Sequence, residues 1–308
     1  MERSQCQGRV SRRSVILGAS ACFAGGCIVR DGVVVAEPPY GARLRALERR
    51  AGGRLGAYIL DAGHGTGFGW RADERFPHCS SFKMSLAALV LNGLEVGDLD
   101  GDEILHWDDS ELLPYSPVTE AHIASGLSLE ALAHGAVVQS DNTAANLLLR
   151  KLGGPARLTA YWRSLGDGVS RLDRYEPELN QTPPGTELDT STPVAMATTA
   201  ARLLFGDALS APNQRMLRGW LHEVQTGSSR LRAAFPADWV SGDKTGTWLG
   251  ATVQTYVDVA FGVPPGRPPV VVAAYFEPSQ GSASTGNAAN AVLAEVGRVA
   301  VDSLQTEA

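Results

Sequence analysis

Sulfur is scarce in this chain and unevenly placed. Of four cysteines in 308 residues, Cys6, Cys22 and Cys27 fall within the first 36 positions, so a chain shortened after Ala36 keeps Cys79 alone. A lone thiol closes no internal disulfide. Without a Cys-His-Asn context, Cys79 reads as a small hydrophobe packed under a helix start. Paired histidines are also missing. His64, His78, His106, His122, His134 and His222 show neither H-E-x-x-H nor any close pair, which argues against a zinc hydrolase, and no metal or cofactor is expected. No apolar run is long and continuous enough for a stable membrane span. Basic charge is in deficit too. Residues 1–36 carry five Arg against Glu2 and Asp31, or +3, so the net −6 leaves −9 for the remainder, and nucleic acid is excluded as a natural partner. At 44% hydrophobic and 19% charged, the composition is that of a globular protein with a substantial core, with no internal repeat.

The N-terminus carries what basic charge there is. Ser11-Arg12-Arg13-Ser14-Val15-Ile16-Leu17 resembles a twin-arginine export motif, a weakly apolar run follows over 15–29, and Val34-Val35-Ala36 fits a small-residue cleavage site. Residues 1–36 are therefore expected to be an export signal, with a periplasmic or secreted destination. Ala24-Gly25-Gly26-Cys27 offers a second option, lipid anchoring at Cys27.

Periodicity places a surface helix at 40–51 and a strand at 55–62, with a glycine-rich turn (63–70) leading into a second strand. That turn fails the G-x-G-x-x-G phosphate pattern at Phe68 and Trp70. Helical patterns occupy 82–93, 128–139, 142–152, 154–165, 192–204 and 211–224. Strands return at 239–244, 252–261 and 270–276, before a last helix at 285–304. The expected architecture is α+β: a five-stranded antiparallel sheet flanked by terminal helices, with a large all-helical insertion. An α/β lobe would comprise 37–77 and 222–308, a helical lobe 78–221, with the active site between them.

Three stretches carry chemistry. Ser80 and Lys83 stand one helical turn apart, so that a lysine with a depressed pKa could activate the hydroxyl. The helix start also offers N–H groups to an oxyanion. Ser140-Asp141-Asn142 separates two helices and supplies a hydroxyl and an amide, although the same residues are ordinary helix caps. Lys244-Thr245-Gly246-Thr247 is expected to end a strand, offering charge, hydroxyls and a close approach to a ligand at the glycine.

In this order and spacing the three motifs resemble the penicillin-recognising serine enzymes. Arg174-Tyr175-Glu176-Pro177-Glu178-Leu179-Asn180, closing at Asp189, is similar to the omega loop of class A serine β-lactamases in particular. The resemblance covers about 40–305. It implies a monomeric hydrolase of the β-lactam amide that acts through a Ser80 acyl-enzyme, with Glu176 and Asn180 holding the deacylating water. The proton acceptor in acylation, Lys83 or Glu176, stays open. The backbone N–H groups of Ser80 and Thr247 would form the oxyanion hole, and Ser140 would protonate the leaving nitrogen. Asn142 would bind the substrate side-chain amide, Tyr115 would line the cleft mouth, and Lys244, Thr245 and Thr247 would take the carboxylate. Arg174 and Asp189 would pin the loop ends, unless they form only a surface ion pair. Residues 251–261 lack the arginine many relatives place there, and the role passes to Arg230. Trp248 replaces a small residue or the cysteine that would pair with Cys79, and so is expected to narrow the cleft edge. A D-alanyl-D-alanine peptidase and a penicillin-binding sensor domain remain as alternatives; neither would need the Glu176 and Asn180 loop.

Overall fold

The computed structural model describes residues 27–30, 33–36, 39–183, 185–251, 253–279 and 286–305. The chain divides after Glu37. In the first unit, Cys27–Arg30 and Val33–Ala36 form an antiparallel hairpin. The twin-arginine stretch expected at 11–17 lies outside the described residues.

In the second unit the last strands are apolar at nearly every position, as in a sheet covered on both faces. Alternate residues serve different cores. Val257, Val259 and Phe261 face the helical side with Val271, Ala273 and Tyr275. Tyr256, Ala260, Val270, Val272 and Ala274 face the opposite layer. The strands are β1 (Gly53–Asp61), β2 (Thr66–Trp70), β3 (Val240–Leu249), β4 (Gln254–Val263) and β5 (Val270–Pro278). They pair antiparallel in the order β2-β1-β5-β4-β3, which leaves β3 at an edge. Helices α1 (Pro39–Ala51) and α9 (Gly286–Gln305) cover one face through Leu44, Leu47, Leu293 and Val296.

On the other face lies a helical layer of α2 (Lys83–Val96), α3 (Pro117–Ala121), α4 (Leu129–Val138), α5 (Asn142–Leu152), α6 (Pro155–Ser164), α7 (Pro193–Phe205) and α8 (Ala211–Glu223); α3 packs on α4 and α5, and the apolar residues of the other six make one core with the sheet. Their boundaries have local causes. The side chains of Ser128, Asp141, Thr192 and Ser210 cap α4, α5, α7 and α8, and left-handed Gly97 and Gly153 end α2 and α5.

Two expectations are corrected. The helix expected at 82–93 runs from Lys83 to Val96 and is buried all round from Lys83 to Leu91, because α4, α5, α6 and α8 surround it. The strand expected to stop at 244 continues to Leu249, so the Lys244–Thr247 motif lies inside β3, held by its pairing with β4.

Candidate active site

The nucleophile candidate precedes its helix. Cys79–Phe82 forms a 3₁₀ turn, and α2 begins at Lys83. Neither Ser80 nor Ser81 caps the helix. Ser81 Oγ instead donates to His78 O at 2.8 Å, which leaves Ser80 Oγ facing Glu176 Oε1 at 3.4 Å. Cys79 is buried as expected, and burial pushes its thiol pKa up.

Gly246 explains how β3 meets this turn. A Cβ there would stand 2.8 Å from Cys79 Cβ, 2.9 Å from Ser80 N and 3.0 Å from His78 O. The close approach expected with a ligand is thus made by the protein's own serine turn.

Lys83 is fully buried. Its Nζ donates to Asn142 Oδ1 at 2.6 Å and Ser140 O at 2.8 Å, and it lies 3.2 Å from Glu176 Oε1. Burial pushes its pKa down, while Glu176 and Asp141 pull it up. Lys244 is equally buried, with Nζ donating to Ser140 Oγ at 3.0 Å. Burial and the nearby Lys83 charge push its pKa down to about 7. Ser140 therefore lies between two amines, with its O–H free to donate elsewhere while its oxygen accepts from Lys244.

Asp141 carries the capping role left open for its motif. Its carboxylate accepts from Ala144 N, Val118 N and Thr119 N, fixing the turn between α4 and α5. Asn142 Nδ2 donates to Pro114 O at 2.9 Å, and Asn142 N donates to Tyr115 O at 3.1 Å. Tyr115 itself is 60% exposed. Five non-glycine residues among those described have positive φ, and Cys79, Tyr115, Ser140 and Asp189 belong to these motifs. Such concentration of left-handed backbone is common at sites whose geometry is over-determined by their surroundings.

Glu176 is held from several sides. Asn180 Nδ2 donates to its Oε2 at 2.5 Å. Asn146 was not singled out from the sequence, yet it donates Nδ2 to Glu176 O at 2.8 Å and accepts Glu176 N on Oδ1 at 2.9 Å. The only signal was its position one turn after Asn142 on α5. The loop ends meet at Asp189, which accepts from Asp173 N (2.7 Å), Arg174 N (3.0 Å) and Arg174 Nε (2.6 Å). Asp189 has no exposed surface, so the surface-pair alternative is corrected.

At the other end of the cleft, Arg230 Nη2 donates to Thr247 Oγ1 at 2.6 Å, and Nη1 reaches Gly246 O and Val257 O at 2.9 and 2.7 Å. The guanidinium is anchored to two strands and presents one edge toward Thr247. Thr245 Oγ1 shares a 2.7 Å hydrogen bond with Thr226 Oγ1. Trp248 is half-buried and packs on the core that contains Cys79. Among the described residues no cluster could hold a metal ion.

The β-lactamase enzyme family matches residues 40–304. The chain belongs to the class A β-lactamases. Similar solved structures include an ancestral class A enzyme, 50% identical with a TM-score of 0.81 over 86% of this chain and 99% of the other. Another is a class A enzyme from Rhodopseudomonas palustris described as putative, 41% identical with a TM-score of 0.81 over 86% of this chain and all of the other. β-Lactamase AST-1 of Nocardia asteroides is 44% identical over 88% of this chain and 84% of its own length. The carbapenem-hydrolysing β-lactamase KPC of Klebsiella oxytoca is 43% identical over 88% of this chain and 89% of its own. This β-lactamase thus has the architecture its motifs implied, with Ser80, Lys83, Ser140, Asn142, Glu176 and Lys244 linked by contacts where β3, α2, α5 and the 174–189 loop meet.

Proposed function

We propose that this β-lactamase opens the amide of penicillins and cephalosporins through an ester on Ser80, which a water activated by Glu176 then hydrolyses. The observation that carries this is the contact of Glu176 Oε1 with both Ser80 Oγ (3.4 Å) and Lys83 Nζ (3.2 Å) in one buried cluster. As an ammonium, Lys83 has three donors, and three acceptors surround it: Ser140 O, Asn142 Oδ1 and Glu176 Oε1. No lone pair is then left for the Ser80 proton, which supports Glu176 as the base in acylation as well as deacylation.

In this reading the Ser80 oxygen attacks the lactam carbonyl while its proton passes to Glu176. The oxyanion meets the N–H groups of Ser80 and Thr247. The C–N bond breaks as Ser140 donates its proton to nitrogen, with Lys244 stabilising the oxygen left behind; the proton held by Glu176 is then relayed to that oxygen, which restores both the Ser140 hydroxyl and the Glu176 carboxylate. Lys244, Thr245, Thr247 and Arg230 bind the substrate carboxylate, and Asn142 and Tyr115 meet its side chain. Water positioned by Glu176 and Asn180 then attacks the ester, giving a proton to Glu176, and the departing Ser80 oxygen takes that proton as the acyl C–O bond breaks. Relatives from Klebsiella oxytoca and Enterobacter cloacae are named for hydrolysing carbapenems or imipenem, and we extend the reading to carbapenems.

We also propose that the enzyme is exported by the twin-arginine route, cleaved before Glu37, and works as a monomer outside the cytoplasm. The N-terminal motif and the small residues before Glu37 support this. N-terminal sequencing of the secreted protein tests the route; a mature chain beginning at Cys27 would favour a lipid anchor.

The decisive experiment follows intact mass after excess benzylpenicillin, for the 37–308 chain and for Glu176→Gln. The native protein should return to free mass as penicillin disappears. The variant should acylate slowly and keep its adduct. Fast acylation of the variant would assign the first proton transfer to Lys83. A permanent adduct on the native protein would mean a penicillin sensor or peptidase.

A further inference from the structure

His78 stands outside the cluster that meets the lactam, yet it joins the nucleophile turn to the loop carrying Glu176. A short ladder pairs Phe76 with Ser191 and Pro77 with Thr190, and His78 N extends it by donating to Asp189 O at 3.0 Å. The His78 carbonyl accepts from Ser81 N and Ser81 Oγ. One residue thus binds the Ser80 turn on one side and the loop's closing residue on the other.

Its ring is completely buried and lies nearly parallel to the Trp162 indole of α6, with centroids 4.9 Å apart and planes at 15°. Neither ring nitrogen has a well-formed hydrogen bond. The charged groups facing it are the carboxylates of Asp189 and Asp167, and the backbone of Arg171 and Thr190 borders the ring. Burial outweighs those carboxylates and pushes the imidazole pKa down to about 4. At neutral pH it is an uncharged stacking element. Nothing in the proposed chemistry at Ser80 calls for an imidazole here.

We propose that His78 is a positioning residue for acyl-enzyme release: neutral and stacked on Trp162 it holds the 174–189 loop against the Ser80 turn, and its protonation loosens that hold. The proton comes from solvent, and no bond between heavy atoms changes. An imidazolium carries two donors and a charge, and the acceptors bordering the ring are the backbone of Arg171 and of Thr190, whose carbonyl already accepts from Arg171 N at 3.0 Å. The nearest anion, Asp189, is already engaged by Asp173 N, Arg174 N and Arg174 Nε. Competition for that carboxylate, or entry of water to solvate the ring, opens the loop neck and displaces Glu176 and Asn180 with it.

The kinetic part of this inference rests on the proposed lactam hydrolysis; the spectroscopic part does not. Deacylation of the benzylpenicillin adduct is timed from pH 3.5 to 8 for the native enzyme and for His78→Phe, which keeps an aromatic stack without a titrating group. Each rate is normalised to the same protein at pH 7. Titration near 4 makes the native enzyme lose about twofold more than the variant at pH 4 and about fourfold more at pH 3.5. Equal acid limbs would refute the proposal. In parallel, the imidazole carbons of the native protein are titrated by NMR, and amide exchange is followed over 173–189. The expected result is a His78 resonance neutral down to about pH 5, whose protonation coincides with loss of loop protection. Titration near 6.5, or unchanged protection, overturns the proposal even if the variant fails to fold. Absence of penicillin turnover at pH 7 in the native enzyme would instead count against the functional reading.

Discussion

Asn146 gives the sharpest quantitative test of how Glu176 is held. Its amide closes both backbone groups of a glutamate that is 2% exposed, while Asn146 itself is 5% exposed. Truncation to alanine removes two hydrogen bonds, and each buried partner left unpaired costs about 1–3 kcal/mol. The vacated space is polar-lined and roughly amide-sized, so an entering water should recover part of this, leaving a loss of about 2 kcal/mol. For a domain of this size that lowers Tm by about 4–8 °C. Because the lost contacts act on the loop, the same energy favours displaced positions of Glu176 by about thirtyfold. With Glu176 serving as base in both half-reactions, Asn146→Ala should lower kcat and kcat/KM together, each by one to two orders of magnitude. Asn146→Asp keeps the acceptor for Glu176 N but offers no donor to Glu176 O, and should fall between. Thermal melts and stopped-flow acylation and deacylation rates measure both halves. A variant with the expected drop in Tm but kcat within twofold of native would refute the coupling from α5 to Glu176. A drop in kcat accompanied by an equal drop in KM would confine Glu176 to deacylation.

Four further outcomes are expected. Lys244 titrates near 7 when buried and unliganded, so kcat/KM should fall as pH rises above about 7, whereas kcat should hold to higher pH because the bound carboxylate favours the ammonium. In stability the sign is opposite: the unfolded chain holds this proton up to about 10.5, so this group makes folding more favourable as pH rises from 7 to 10.5. A kcat/KM flat from pH 6.5 to 9 would contradict the assignment. Gly246→Ala forces a methyl against Cys79, Ser80 N and His78 O, and should cut kcat by at least about a hundredfold while the protein stays folded by circular dichroism. Arg230→Ala should raise KM for benzylpenicillin about tenfold or more, through loss of one charge-assisted contact; an unchanged KM would remove the arginine from carboxylate binding. Trp248→Gly should raise kcat/KM for cephalosporins with large side chains relative to benzylpenicillin, at a loss of about 2–4 kcal/mol in stability from the emptied packing against the core. Equal selectivity in the two proteins would mean the indole only packs.

How much was legible beforehand depended on the range of the causes. Alternation and turn residues act within a few positions, and they located all five strands and six helices of the insertion. Strand order, and with it the edge position of β3, required pairing between segments more than 150 residues apart, as between β1 and β5. The reacting groups were legible because their types and spacings follow a recognisable pattern. Their environments were not. Lysine is by default a solvated residue, yet Lys83 and Lys244 have no exposed surface. Their depth follows from a central helix and an edge strand meeting at Gly246, a contact across more than 160 residues. Ser81, next to the nucleophile candidate, likewise turns inward and ties the turn to His78.

The residues that support the reacting groups share a feature: they act on backbone rather than on a ligand. The side chain of Asn146 binds the main chain of Glu176 and that of Asp141 the main chain of α3 and α5, while His78 reaches Asp189 through its own main chain. Side chains that serve backbone carry little sequence signature, since asparagine and aspartate are common at caps and surfaces for unrelated reasons. Yet the Asn146 contacts hold the backbone of Glu176 directly, and proton transfer over about 3 Å is sensitive to small displacements of the carboxylate. The division of labour is physical. The reacting groups are specified by chemistry and can be read singly, whereas their precision comes from buried polar partners whose identity depends on which backbone groups the fold leaves unpaired. Variants at the second set should therefore spare the identity of the acylated serine and change the rates of acylation and release, the reverse of what substitution at Ser80 would do.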